Sequence, residues 1–94
     1  MMVNLETEHG KFELLKDDSK TFNISDFNKK YVEILGKYEF IVGDYYQDIL
    51  RLKGFKSIEK NKIPDYINEY CSLDSNYFIL RNPNFNEDLV VEEE

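Results

Sequence analysis

The sequence predicts an α+β domain of βαββαβ order: a four-stranded antiparallel sheet with two helices packed on one face, ferredoxin-like or a close variant. Three observations carry that prediction. Two segments repeat apolar residues at helical spacing. Three short runs alternate polar and apolar residues as half-buried strands do, and two of these are separated by so few polar residues that they form a β-hairpin. With 94 residues there is room for one domain and no large internal ligand cavity.

Residues 1–10 read as a polar N-terminal segment with Glu6, Glu8 and His9, ending at Gly10. The domain then spans 11–81. Lys11 to Lys16 alternates, with Phe12 and Leu14 on one face, and Asp17-Asp18-Ser19 is a turn cluster that stops the strand. Phe27, Tyr31, Ile34, Leu35 and Tyr38 then form one stripe at a period of 3.6 residues. Ser25 is the predicted N-cap of this helix, Asp26 complements its dipole, and Gly36 ends it in a left-handed conformation.

Tyr38 to Asp44 and Asp48 to Gly54 alternate on either side of Tyr45-Tyr46-Gln47, which predicts a hairpin with Phe40 and Val42 facing the core opposite Leu50 and Leu52. A charged connector occupies 56–62. The second helix places Pro64 in its first turn and Ile63, Tyr66, Ile67, Tyr70 and Cys71 on one face. Tyr77 to Leu80 is apolar on both sides, as a strand flanked by neighbours would be, and Asn82-Pro83-Asn84 ends it. Residues 82–94 form an acidic tail.

The formal charge of −7 first argues against an anionic partner. Its distribution changes that reading. Glu6 and Glu8 supply −2 at one end, Glu87, Asp88, Glu92, Glu93 and Glu94 supply −5 at the other, and residues 11–81 are formally neutral. A single cysteine, Cys71, permits neither an intramolecular disulfide nor a cysteine zinc site, and its place on an apolar stripe makes it a core residue. The N-terminus has no basic segment or apolar run, and no stretch approaches the ~20 apolar residues of a membrane span. The expected location is the cytoplasm.

The chemistry-bearing residues are sparse. His9 is the single histidine and has no partner in view to position it for acid–base work. Asp44 and Asp48 bracket the hairpin turn, where turn chemistry accounts for them better than a hard cation does. Asp65 and Glu69 mark a solvated helix face. There is no phosphate-cradling loop, nucleophile elbow or metalloprotease motif, so the sequence predicts neither an enzyme nor a cofactor.

The binding candidates lie on the hairpin and its connector. Arg51, Lys53, Lys56, Lys60 and Lys62 stand against Glu59 alone over residues 51–62, a net +4. Lys53-Gly54-Phe55 has the basic-Gly-aromatic start of the RNA-recognition signature, with Ser57 where a second stacking ring would be wanted. Tyr45 and Tyr46 at the turn tip add rings suited to a partner interface. These eight residues predict a partner surface: a protein partner first, with RNA or single-stranded DNA as the alternative. No membrane is implied, and the oligomeric state is not encoded in any motif.

Tyr31 to Asp44 (closing on Lys-Tyr-Glu-Phe-Ile-Val-Gly-Asp), Leu50-Arg51-Leu52-Lys53-Gly54-Phe55, Tyr66 to Cys71 and Tyr77-Phe78 together resemble the YutD-like family of uncharacterised small bacterial proteins over about residues 10–81. The turn Asp44-Tyr45-Tyr46-Gln47-Asp48 departs from the glycine- and tryptophan-bearing turn of that family. The resemblance implies an intracellular α+β domain with no assigned enzymatic activity.

Overall fold

Alternation along the strands puts apolar side chains on both faces of the sheet, and a helix covers each face. The computed structural model describes residues 3–17, 20–70 and 77–89. Strand β1 (Val3–Thr7) and β2 (Gly10–Lys16) form a hairpin. Helix α1 (Ile24–Lys30) and a 3-10 turn (Glu33–Lys37) follow, then a second hairpin of β3 (Phe40–Tyr46) and β4 (Ile49–Phe55). A second 3-10 turn (Ser57–Lys62) runs into helix α2 (Ile63–Tyr70), and β5 (Tyr77–Arg81) comes last. The order across the sheet is β1-β2-β5-β3-β4, and every neighbouring pair is antiparallel.

The α+β class and the antiparallel sheet are as the sequence predicts. Two features differ. The sheet has five strands, not four, because the N-terminal segment pairs with β2 from Val3↔Leu14 to Thr7↔Gly10. Its alternation is weak, with Glu6 and Glu8 exposed, and only Leu5 packs partly against the core. The helices also lie on opposite faces. Residues adjacent in a strand point to opposite sides, and here Ile41, Phe78 and Leu80 join Phe12, Phe27 and Leu35 in one core, while Phe40, Val42 and Phe55 join Ile63 in another. Leu50 and Leu52 therefore pack beneath α1, away from Phe40 and Val42, and both halves of the hairpin serve two cores.

Central β5 is apolar on both sides for that reason: Phe78 and Leu80 face α1 and Ile79 faces α2. Alternation from Phe12 and Leu14 puts Leu15 in the α2 core, and a bulge between Leu14 and Lys16 then brings Lys16 to the same face, opposite Ile79 and within 5.4 Å of the Tyr77 ring.

The first helix is shorter than its stripe predicts. Asn23, not Ser25, caps it: the Asn23 Oδ1 accepts the Asp26 N–H at 3.1 Å. Tyr31 then leaves the helix at ψ 133°, and the chain resumes as the 3-10 turn, which buries Leu35 and leaves Ile34 exposed. The break lets the Tyr31 ring turn back against Phe12 and Phe27. Gly36 is not a left-handed cap; its bare Cα makes room for Leu89 and the Tyr31 hydroxyl, each 3.3 Å from where a Cβ would stand. The second helix begins with Ile63 and Pro64 as predicted and ends at Tyr70, so Cys71 lies outside the described residues.

Candidate functional site

The β3–β4 turn is tighter than the sequence predicts. Its two central residues are Gln47 and Asp48, both left-handed at φ 51° and 66°, which is the two-residue turn whose twist matches paired strands. Tyr45 and Tyr46 are therefore the last residues of β3, on opposite faces. Tyr45 turns under α1, where its hydroxyl donates to Asp26 Oδ2 at 2.6 Å. Burial and that carboxylate push the Tyr45 phenol up to about 12. Tyr46 stays on the α2 face, 56% exposed, directly across from Ile49 at 59%.

Beside that exposed pair stands an ion pair with a buried carboxylate. Asp44 is a neighbour of Arg51 across the strands. The Arg51 guanidinium donates through Nε (3.1 Å) and Nη2 to the two oxygens of Asp44. The Asp44 side chain is 3% exposed and the Arg51 side chain 37%, so the pair runs from interior to surface. The planar guanidinium then lies 4.9 Å from the centre of the Tyr46 ring. Bidentate pairing fixes the fork and the fork fixes the ring, giving the tip a rigid aromatic–cationic knob. Asp44 is thus engaged by arginine, and no cluster of three metal-ligating side chains occurs among the described residues.

The remaining predicted residues divide. Lys53 is exposed on the same face as Arg51, with its Nζ 6.0 Å from the Phe55 ring. Phe55 itself is 5% exposed and packs edge-on against Tyr66 at 5.3 Å, so its ring belongs to the α2 core and offers no stacking platform. The Lys56 N–H donates to Glu59 Oε1 at 3.0 Å, opening the 3-10 turn. Lys60 sits 5.6 Å from the Phe40 ring, and Lys62 reaches Glu59 at 4.0 Å. Tyr46, Arg51 and Lys53 form one surface; Tyr45 faces away from it, and Lys60 and Lys62 belong to the opposite end of the hairpin.

Sequence reasoning missed two features. His9 is positioned after all: its ring stacks on Tyr31 at 4.4 Å, and its Nε2 lies 3.0 Å from the Asn28 carbonyl oxygen, a contact that requires a proton on Nε2. His9 and Tyr31 border a cavity of about 530 Å³ lined also by Lys11, Glu33, Asn84 and Leu89. No local motif signals it, because the β1–β2 turn, the 3-10 turn after α1 and the segment after β5 meet there only through the fold. The second is Arg81, which bridges Glu39 at 2.9 Å and Glu13 at 3.3 Å across three parts of the chain. Hydrogen bonds from Ser57 and Arg81 hold the Glu39 carboxyl below its usual range.

A small five-stranded α+β domain, with a rigid aromatic–cationic tip and no assembled catalytic group in that surface, is the class these observations define. The profile of the YutD-like family, described as "Putative antitoxin YutD-like", matches residues 6–81, and the chain belongs to that family. It is 36% identical over 83 residues to "Putative antitoxin YutD" of Bacillus subtilis strain 168, an alignment spanning 79% of this chain and 91% of that one. The solution NMR structure of YutD from B. subtilis superposes with a TM-score of 0.73 at 30% identity, covering 96% of this chain and 91% of the other. No helix among the described residues is long and apolar enough to cross a membrane.

Proposed function

We propose that this chain is a cytoplasmic, non-enzymatic regulatory module that works by binding a protein partner through the tip of the β3–β4 hairpin. The observation that carries the reading is the Tyr46–Ile49 pair, two large apolar side chains more than half exposed, with the Tyr46 ring backed by the Arg51–Asp44 pair. Exposed aromatic and aliphatic anchors on a rigid support, with arginine beside them, are what protein interfaces concentrate. The antitoxin in the name of the B. subtilis relative supports a role exerted on another macromolecule rather than on a metabolite.

The test is affinity capture from extract of the source organism with the native chain and with Tyr46→Ala/Ile49→Ser, whose side chains lie outside both cores. A defined protein held by the first and lost by the second supports the reading. Equal retention by both, or capture abolished by nuclease, refutes it.

A second reading, RNA or single-stranded DNA binding, draws on Tyr46, Arg51 and Lys53 sharing one face. A stacking ring flanked by cations fits a single strand. It predicts oligonucleotide binding that weakens with salt and with Lys53→Glu. The burial of Phe55 leaves it with one ring instead of two.

A further inference from the structure

The open edge of the sheet at β4 extends the partner-binding reading on which it rests. β4 ends the strand order and pairs with β3 alone. The two-residue turn makes Tyr46 and Ile49 a hydrogen-bonded pair, and alternation from there commits the backbones of Ile49, Arg51, Lys53 and Phe55 to β3. The N–H and C=O groups of Leu50, Leu52 and Gly54 then point away from the sheet. No hydrogen bond from a turn, loop or cap reaches these three among the described residues.

Such an edge is a template for another strand, and the charges around it select which one. On the α1 face, Lys29 and Lys30 border a 180 Å³ depression together with Leu50, Asp26 and Asp48. Lys53 stands on the other face, and Lys56 follows the end of the strand. The nearby carboxylates are few: Asp48 lies at the turn, Asp26 accepts from Tyr45, and Asp44 is held by Arg51. Self-pairing is opposed by the same cations. The three antiparallel registers of greatest overlap, centred on Arg51, Leu52 or Lys53, set Arg51 or Lys53 opposite a like charge, which destabilises a strand pair.

We infer that β4 accepts an acidic, extended segment of a partner protein as a sixth strand, its carboxylates reaching Lys53 on one face and Lys29 and Lys30 on the other. Base stacking explains the edge less well, because Tyr45 is bonded under α1 and Phe55 is buried.

The experiment is NMR-detected amide exchange on the whole chain with a synthetic peptide of alternating Glu and Val, matched to β4 in length. A Lys/Val peptide of equal length and an oligouridylate serve as comparisons. The expected result is exchange slowed roughly tenfold or more at Leu50, Leu52 and Gly54 by the acidic peptide, with Ile49, Arg51 and Lys53 little changed because β3 already protects them. Lys29→Glu/Lys53→Glu is expected to weaken that peptide by roughly tenfold and to admit the Lys/Val peptide instead. Leu52→Pro, which removes one outward N–H, abolishes the protection; if it unfolds, the charge-reversed variant carries the test alone.

Shifts confined to Tyr46 and Ile49 would overturn strand addition while leaving the partner reading intact. Equal protection by both peptides, protection by the oligouridylate, protection that rises with protein concentration without peptide, or no protection at saturating peptide would each overturn the inference. Failure of the partner reading shows separately, in the capture comparison.

Discussion

Gly43 in the centre of β3 is where a single methyl group should do the most damage. It is buried, and a Cβ built there would stand 2.2 Å from Phe78 Cζ and 2.5–2.7 Å from the flanking ring carbons. Real Cβ contacts are not found below 3.0 Å, so the ring must move by nearly a full ångström or the strand must bend. Neither is easy. Phe78 is fully buried, stands edge-on to Phe22 at 5.1 Å, and belongs to central β5. Overpacking of this kind costs about 1–3 kcal/mol. The relief of replacing a strand glycine offsets roughly 0.5–1 kcal/mol of that. Because the clash is with an immobile ring, we expect Gly43→Ala to sit near the top of the range, a net loss of about 2 kcal/mol. At roughly 4–8 °C per kcal/mol for a domain of this size, Tm should fall by about 10 °C. Urea and thermal unfolding followed by circular dichroism measure both quantities. Phe78→Leu in the Gly43→Ala background should recover part of the loss, giving a coupling energy of roughly 1 kcal/mol. If Gly43→Ala unfolds within 0.5 kcal/mol of the native chain, the close packing of ring on backbone is not what requires glycine.

A Cβ built at Gly54 would stand similarly close to the Tyr38 ring, 2.3 Å, but Tyr38 is only half-buried and β4 is an edge strand; Gly54→Ala should therefore cost about 1 kcal/mol, less than Gly43→Ala, in the same melts. Within the Asp44–Arg51 pair the losses should be unequal: Arg51→Ala strands a buried carboxylate and should cost about 3 kcal/mol, whereas Asp44→Ala leaves a guanidinium that can reach water and should cost about half as much. Urea unfolding of the two variants checks the order. The Tyr45 phenol is raised to about 12 in the folded chain against about 10 unfolded. Its contribution is complete below pH 10 and is lost as pH rises through 12, and Tyr45→Phe should flatten that alkaline fall; Tyr31, raised by burial and Glu33, leaves a remainder. Glu39 has the opposite sign: its lowered carboxyl stabilises the fold above the unfolded value near 4.5, and that contribution is lost as pH falls through the folded one. Arg81→Gln should make the acid limb shallower without abolishing it, since Ser57 still bonds to Glu39.

The elements whose signal is local were legible. Phe40 to Val42, Leu50 to Leu52 and Tyr77 to Leu80 alternate or run apolar as strands must, and Ile63, Tyr66 and Ile67 mark α2. What escaped is what depends on partners distant in the chain. Leu5 makes β1 a strand only because Phe12 lies opposite it, and Glu6 gives no hint of that. The same alternation in β3 fits one covered face or two; only the division of Ile41 from Phe40 and Val42 between cores decides it. Asn23 and Ser25 are both competent caps, and the backbone at Asn23, extended at φ −128° and ψ 116°, selects between them. For the binding surface, Tyr46, Arg51 and Lys53 could be named from composition, whereas the burial of Phe55 and the anchoring of Tyr45 by Asp26 arise from tertiary contacts with α2 and α1.

The last strand made is the one that lies in the middle. β5 sits between β2 and β3, and its pairing of Arg81 with Glu13 joins residues at opposite ends of the domain. Without residues 77–81, no strand joins β1–β2 to β3–β4, and each hairpin is left with a raw edge where β5 should lie. Isolated hairpins are marginal in stability, and unpaired edges at that stage invite aggregation. Loop closure over so long a span also slows assembly. A chain cut just before Tyr77 would therefore hold not a partly finished domain but two halves waiting for their keystone.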